Sequence, residues 1–212
     1  MNSKNKGFTL IEMLVVIGII AILSGALLMG FGRVTKAAQR AKAVEAVSEA
    51  AQALVILRQK NDGVWPADIT SFGGSDGSGK GMVEKVALKF AEYNMLGIAY
   101  KKDEENENTI KLLGISRCGV VDPWAEAVLK RSQKADAATK VPAGGTVQDH
   151  IIYFAVDTDG DGITVANVGG QAVQVRAEAI TWCAGADGVI APYTQRGRSD
   201  DIYSWDKAKE KR

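Results

Sequence analysis

The sequence predicts an α+β protein: one long N-terminal α-helix, apolar enough in its first half to cross a bilayer, packed through its second half on a small antiparallel β-sheet. Three observations carry that expectation. Residues 13–32 contain no charged side chain, and Ser24 is the clearly polar one among them. Residues 34–55 place apolar side chains at three- and four-residue spacing, the period of a helix with one buried face. Residues 151–182 hold short apolar runs separated by glycine- and aspartate-rich segments, as strands and turns do. A chain of 212 residues has room for one ordinary globular domain and an extra element.

The first element is a basic leader over residues 1–7, with Lys4 and Lys6 ahead of Gly7. A helix over residues 8–32 follows, and the 20 charge-free residues from Met13 to Gly32 would rise about 30 Å, the thickness of a bilayer's hydrocarbon core. A secretory signal would be shorter and would end in a small-residue cleavage site. Here the helical pattern simply continues, so the segment is expected to stay in the mature chain. Basic residues lie on both sides of the span, Lys4 and Lys6 before it and Arg33, Lys36, Arg40 and Lys42 after it, so a positive-inside count leaves the orientation open. Glu12 is out of place in a simple anchor, because a carboxylate deep in lipid is costly.

Gly7-Phe8-Thr9-Leu10-Ile11-Glu12, with its basic leader and the apolar run behind it, resembles the processing motif of type IV prepilins and pseudopilins. The resemblance implies that a prepilin peptidase cuts between Gly7 and Phe8 at the cytoplasmic face and methylates the new amino group of Phe8. It also implies a single-pass protein of the bacterial inner membrane, its N-terminus cytoplasmic and its globular domain periplasmic. In that family the Glu12 carboxylate would face the N-terminal amine of a neighbouring subunit. A buried pair of this kind adds little stability but disfavours wrong registers.

Past Arg33 the helix turns amphipathic over residues 33–60, with Val34, Ala37, Ala38, Ala41, Val44, Val47, Ala51, Leu54 and Val55 recurring at three- and four-residue spacing. Asn61-Asp62-Gly63 supplies the stop signal and Pro66 is the first proline. The alanine-rich stripe is shallow and permits close approach of another surface.

Residues 61–212 form the globular domain. The glycine-rich run 71–81 lacks the GxxxxGK[ST] spacing of a phosphate loop. Residues 83–93 read as a helix, 101–108 as a charged solvated loop, and 151–156 and 163–166 as two strands joined by a turn. Residues 173–175 and 179–182 add further strands. Between the first two strands, Asp157, Asp159, Asp161 and Gly162 copy the first half of an EF-hand loop. Val168 stands where that loop needs a bidentate glutamate. Calcium and a glycine-assisted hairpin turn are both open readings.

Asp122-Pro123-Trp124, the run Ala184-Gly185-Ala186-Asp187-Gly188 and the ending Ser199-Asp200-Asp201-Ile202-Tyr203-Ser204-Trp205 resemble the C-terminal motifs of major pseudopilins of type II secretion systems. By that resemblance Asp187 and Asp200, with Asp201 beside them, are candidate calcium ligands, backbone carbonyls completing the shell. The usual glycine after Asp-Pro-Trp is missing, and residues 125–149 are longer and more polar than the family pattern. The function implied is that of a structural subunit, not an enzyme. An ATPase would draw it from the membrane through an assembly platform, to stack with identical and other pilin-like subunits into a periplasmic filament that drives protein export. The alternative is a type IV pilus or competence (minor) pilin, and after that a membrane-anchored binding domain or hydrolase.

Other chemistry finds little support. Net charge is +1 without a basic stripe, which argues against nucleic acid. The single histidine, His150, lies beside Asp149, but no GxSxG element accompanies it, and it reads as a surface residue. Cys118 and Cys183 match no zinc pattern; they can pair in an oxidising compartment or sit as two separate buried thiols.

Overall fold

The computed structural model describes residues 9–72, 81–102, 110–132 and 146–206, with all their side chains except those of 26–31, 72, 110 and 132. The chain divides into two compact units, Met1–Gln39 and Arg40–Arg212. Helix α1 runs Leu10–Lys60, close to the expected 8–60.

In the first unit no described side chain of α1 is buried: every one from Thr9 to Gly25 is exposed, from Val16 at 44% to Leu10 at 84% among the large apolar ones. Among the described residues no helix is long and apolar enough to cross a membrane. The expected span, 8–32, takes in residue 8 and the side chains of 26–31, which lie outside the described residues.

In the second unit the same helix becomes a core element. Ala43, Val47, Ala50, Leu54 and Leu57 are fully buried at helical spacing. The helix stops where the sequence predicts: Gly63 takes φ 77°, and its N–H returns to the Arg58 carbonyl at 2.9 Å.

Two further short helices, α2 (Ala67–Phe72) and α3 (Glu84–Glu92), follow, and then a two-stranded antiparallel pair, β1 (Tyr100–Lys102) with β2 (Ile110–Leu112). Helix α4 (Ala125–Ser132) comes next. Of these, only α3 was expected. The charged run read as a loop contributes its first two residues to β1, and residues 103–108 lie outside the described residues.

The remaining strands form two small sheets: β3 (Tyr153–Val156), β6 (Ala179–Cys183) and β7 (Ile202–Tyr203) in the order β3-β6-β7, and β4 (Thr164–Val168) with β5 (Gln171–Val175). This corrects the expected hairpin, because β3 and β4 do not pair. Burial sorts the strands. β6 is buried at all five positions, whereas β4 alternates buried and exposed. On β6, Ala179 and Cys183 face the α1 core, and the Thr181 hydroxyl donates to the Val47 carbonyl of α1 at 2.6 Å. Ile180 and Trp182 face the other way, into a second core with Ala166, Val168 and Val173 of the β4–β5 hairpin. A strand covered on both faces pairs with the equally apolar β3, and the half-wet strands pair with each other. Gly169 and Gly170, at φ 56° and 81°, close that hairpin as a two-residue turn with both central residues left-handed.

Candidate functional site

The N-terminal feature begins with a helix start. Thr9 immediately precedes α1, and its N–H and hydroxyl both donate to Glu12 Oε2, at 2.7 and 2.8 Å, while its Oγ1 accepts the Glu12 N–H at 3.3 Å. This is a reciprocal capping box, and its Thr-x-x-Glu spacing was present in the sequence but not read there. Glu12 thus has a local partner in the single chain, and it is the one charged residue among exposed apolar side chains from Leu10 to Gly25. Gly7 and Phe8 lie outside the described residues.

The C-terminal aspartates sit in a loop that folds back on the end of β6. Gly185, at φ 71°, lies so close to Asp200 that a Cβ there would meet its carbonyl oxygen at 2.6 Å and its carboxylate at 2.7 Å. The Ala186 N–H donates to Asp200 Oδ2 at 2.6 Å, and the Val189 N–H to Asp187 Oδ1 at 2.9 Å. Asp201 is buried, and its Oδ2 accepts both the Ala191 N–H and the Tyr203 hydroxyl at 3.0 Å. Burial pushes the Asp201 carboxyl above its ordinary range, against the pull of Tyr203 and the Ala191 amide. Asp201 Oδ1 and Ser199 Oγ are the two buried side-chain polar atoms, among the described residues, with no hydrogen-bond partner. A carboxylate oxygen and a hydroxyl are the kinds of donor a hard cation accepts. Asp187, Asp200 and Asp201 do not, however, bring three carboxylates to one point.

That closer gathering occurs at the other candidate. Asp157, Asp159 and Asp161 each offer a carboxylate oxygen within 4.8 Å of the others. Asp157 is buried, but both its oxygens are already taken, by the Gly160 and Gly162 amides at 2.7 and 2.9 Å. The Ile163 amide holds Asp161 Oδ1 at 2.7 Å. Burial would raise the Asp157 carboxyl, yet the two glycine amides and the Arg58 charge outweigh it and hold it below the ordinary value.

His150 corrects a sequence expectation. It is fully buried, with Nδ1 3.1 Å from Asp122 Oδ2. The cause is local pairing: Asp122 N–H donates to the His150 carbonyl at 2.9 Å, beside the Val121–Ile151 bridge. Burial raises the Asp122 carboxyl, with His150 opposing. Of the two readings open for the cysteines, the structure has two separate thiols, Cys183 buried and Cys118 half-buried. Cys183 lies in the α1 core, and burial and the Asp122 charge push its thiol up to about 12. Cys118 instead ends a short 3-10 helix, Gly114–Cys118, that packs near α3.

Comparison with known proteins bears on the N-terminal feature. Residues 2–28 match the family described as a prokaryotic N-terminal methylation motif. The chain is similar to the type IV major pilin protein PilE of Neisseria gonorrhoeae, 40% identical over 73 residues, which are 34% of this chain and 43% of that protein. Fimbrial proteins of Neisseria meningitidis serogroups A and B are each 38% identical over 73 residues, 34% of this chain and 42% of theirs. The alignments thus span less than half the length of these relatives. No solved structure matches the chain.

Proposed function

Taking as premise a chain of the type IV pilin-like family, we propose that it is a structural subunit of a membrane-assembled filament, anchored in the inner membrane by residues 8–32. The observation that carries this reading is the exposure of every described side chain from Thr9 to Gly25 around one carboxylate, Glu12. An apolar surface of that kind is stable in lipid or against copies of itself, and not in water.

Prepilin peptidase removes residues 1–7 and methylates Phe8. The globular domain lies in the periplasm. An assembly ATPase, acting through an inner-membrane platform, extracts subunits from the bilayer, so this chain needs no catalytic residue of its own. During stacking the Phe8 amine of a neighbour competes with Thr9 for the Glu12 carboxylate, and only the register that supplies that amine compensates the desolvated charge.

The filament is a type II secretion pseudopilus with this chain as its major subunit. In favour stand the C-terminal Asp201-Ile202-Tyr203-Ser204-Trp205 element and the buried, half-partnered Asp201 within it. Calcium, bound there by Asp201 with Asp200 and Asp187 nearby, would supply positive charge that locks the loop. A second reading, a type IV pilus pilin, is favoured by the names of the Neisseria relatives.

Mass spectrometry of the chain from its native cell tests the proposal. The expected N-terminus is Phe8 carrying one methyl group; an intact Met1 overturns it. A deletion strain separates the two readings: loss of secreted enzymes supports the pseudopilus, and loss of surface fibres with secretion intact supports the pilus.

A further inference from the structure

The chain's single histidine is cut off from solvent, and so is the carboxylate it faces. His150 Nδ1 stands 3.1 Å from Asp122 Oδ2, with both side chains fully buried. The backbone fixes the meeting. The Asp122 N–H donates to the His150 carbonyl at 2.9 Å and the Ile152 N–H to the Val120 carbonyl at 2.8 Å, so residues 120–122 run antiparallel to the entry into β3. The filament reading makes no use of this pair.

Asp122 also starts a helix. Its Oδ1 accepts the Trp124 N–H at 2.9 Å, and its carbonyl accepts the Ala125 N–H at 3.3 Å, at the head of α4. A helix of two turns is marginal alone. From 125 to 131, α4 buries only Ala125 and Val128. Its order therefore depends on the state of the carboxylate beneath its first turn.

An unbalanced carboxylate charge is costly in a site that water does not reach. One proton on the pair removes the net charge, whether it makes an imidazolium beside a carboxylate or an imidazole beside a carboxyl. Neighbouring groups do not supply the balance. In the short 3-10 helix Val147–His150, the Asp149 carboxylate is taken by the Thr146 N–H and hydroxyl at 2.6 and 2.8 Å. On α4, Glu126 and Lys130 pair with each other at 2.6 Å in solvent, and Arg131 is exposed. Tyr153 of β3 and Cys183 of β6 are acids that burial keeps protonated. The largest charge effect on Asp122 is that of His150.

We propose that Asp122 and His150 form a proton-operated latch on α4: the pair with its one proton is neutral and holds the helix docked, and loss of that proton leaves a buried charge that loosens it. The sign agrees with the Asp122 carboxyl, which burial raises above 3.8. A raised group stabilises fully below 3.8 and loses that contribution as pH rises through its folded value.

The test uses the full chain in detergent micelles. Nitrogen-15 NMR of the labelled histidine follows one imidazole between about pH 4 and 8. Hydrogen–deuterium exchange of residues 125–132, corrected against the β4–β5 hairpin, reports α4. In wild type the imidazole signal is expected to move through one midpoint. Above it, α4 protection should fall by about tenfold per pH unit, the slope of one linked proton. Asp122→Asn keeps a cap acceptor and carries no charge, so α4 should stay protected across the range. An imidazole that titrates while wild-type α4 protection holds steady overturns the latch, as does an imidazole signal that never moves. The same loss of protection in Asp122→Asn overturns it too. If that variant does not fold, the agreement or mismatch of the two wild-type midpoints decides.

Discussion

The two halves of α1 have the same backbone and opposite chemistry. From Leu10 to Gly25 every described side chain is exposed, and the residues are large: leucine, isoleucine, valine and methionine. From Ala43 to Leu57 the buried positions recur at helical spacing, and three of the six are alanine. Hydrophobicity alone would rank the first half as the better core. What separates them is period. An apolar surface all round has no preferred partner within one folded domain, whereas a narrow stripe fits one sheet. The first half therefore offers no single face to bury, whereas the second packs its stripe on β3 and β6.

Glu12→Ala breaks the comparison hardest. It removes the one charge from the exposed half and should abolish filament assembly while leaving the subunit in the membrane. Unfolding of the globular unit should be unchanged, because the hydrogen bonds Glu12 makes to described residues are all to the exposed Thr9. Electron microscopy of filaments and thermal unfolding of the purified chain read the two effects separately. Normal filaments from this variant would remove the registry role. A lowered melting temperature would mean that the Thr9–Glu12 capping box supports the whole fold rather than its own helix start.

The next effect inverts the assay. Leu57→Ala, at a fully buried position, should destabilise the globular unit by about 2–5 kcal/mol, measured by denaturant titration. Leu14→Ala, at a position 59% exposed, should leave that transition where it is. Equal losses from both would show that the exposed half packs on the fold in solution, and the division of labour along α1 would be wrong.

This division explains what was legible in the sequence. The charge-free run, the apolar period behind it and Asn61-Asp62-Gly63 placed α1 to within two residues, because a helix writes its period locally; of the stripe read there, Val47 and Leu54 are buried while Val34, Ala37, Ala41 and Val44 are exposed. Strand pairing is not local. The two apolar runs around Asp157–Gly162 suggested a hairpin, but β3 pairs with β6 across 22 intervening residues. Only the burial of β6 on both faces decides that. The same blindness made His150 a surface residue: a polar type next to Asp149 gives no hint that Asp122, 28 positions earlier, will close over it. Helices α2 and α4 were missed because each is one or two turns long and gains its order from packing. At the C-terminus the aspartates were visible by resemblance.

Acid sharpens the comparison by the smallest margin, and within the folded half alone. Asp157 is held below the ordinary 3.8, because the Gly162 and Gly160 amides and Arg58 outweigh its burial. A depressed carboxyl contributes stability that is present above 3.8 and lost as pH falls through the folded value. Asp122 is raised above 3.8, chiefly by burial. Its contribution has the reverse sign, fully present below 3.8 and lost as pH rises through its folded value. Asp157→Asn should therefore weaken the fold near neutrality and converge with wild type in acid. Asp122→Asn should remove a loss that wild type suffers on going from acid toward neutrality. Denaturant titrations monitored by tryptophan fluorescence between about pH 3 and 6, the interval around the ordinary carboxylate value, resolve the two slopes. Parallel slopes for both variants would mean that these turns do not set the acid response, leaving the amide-saturated Asp157 loop open to a cation that competes for the same oxygens.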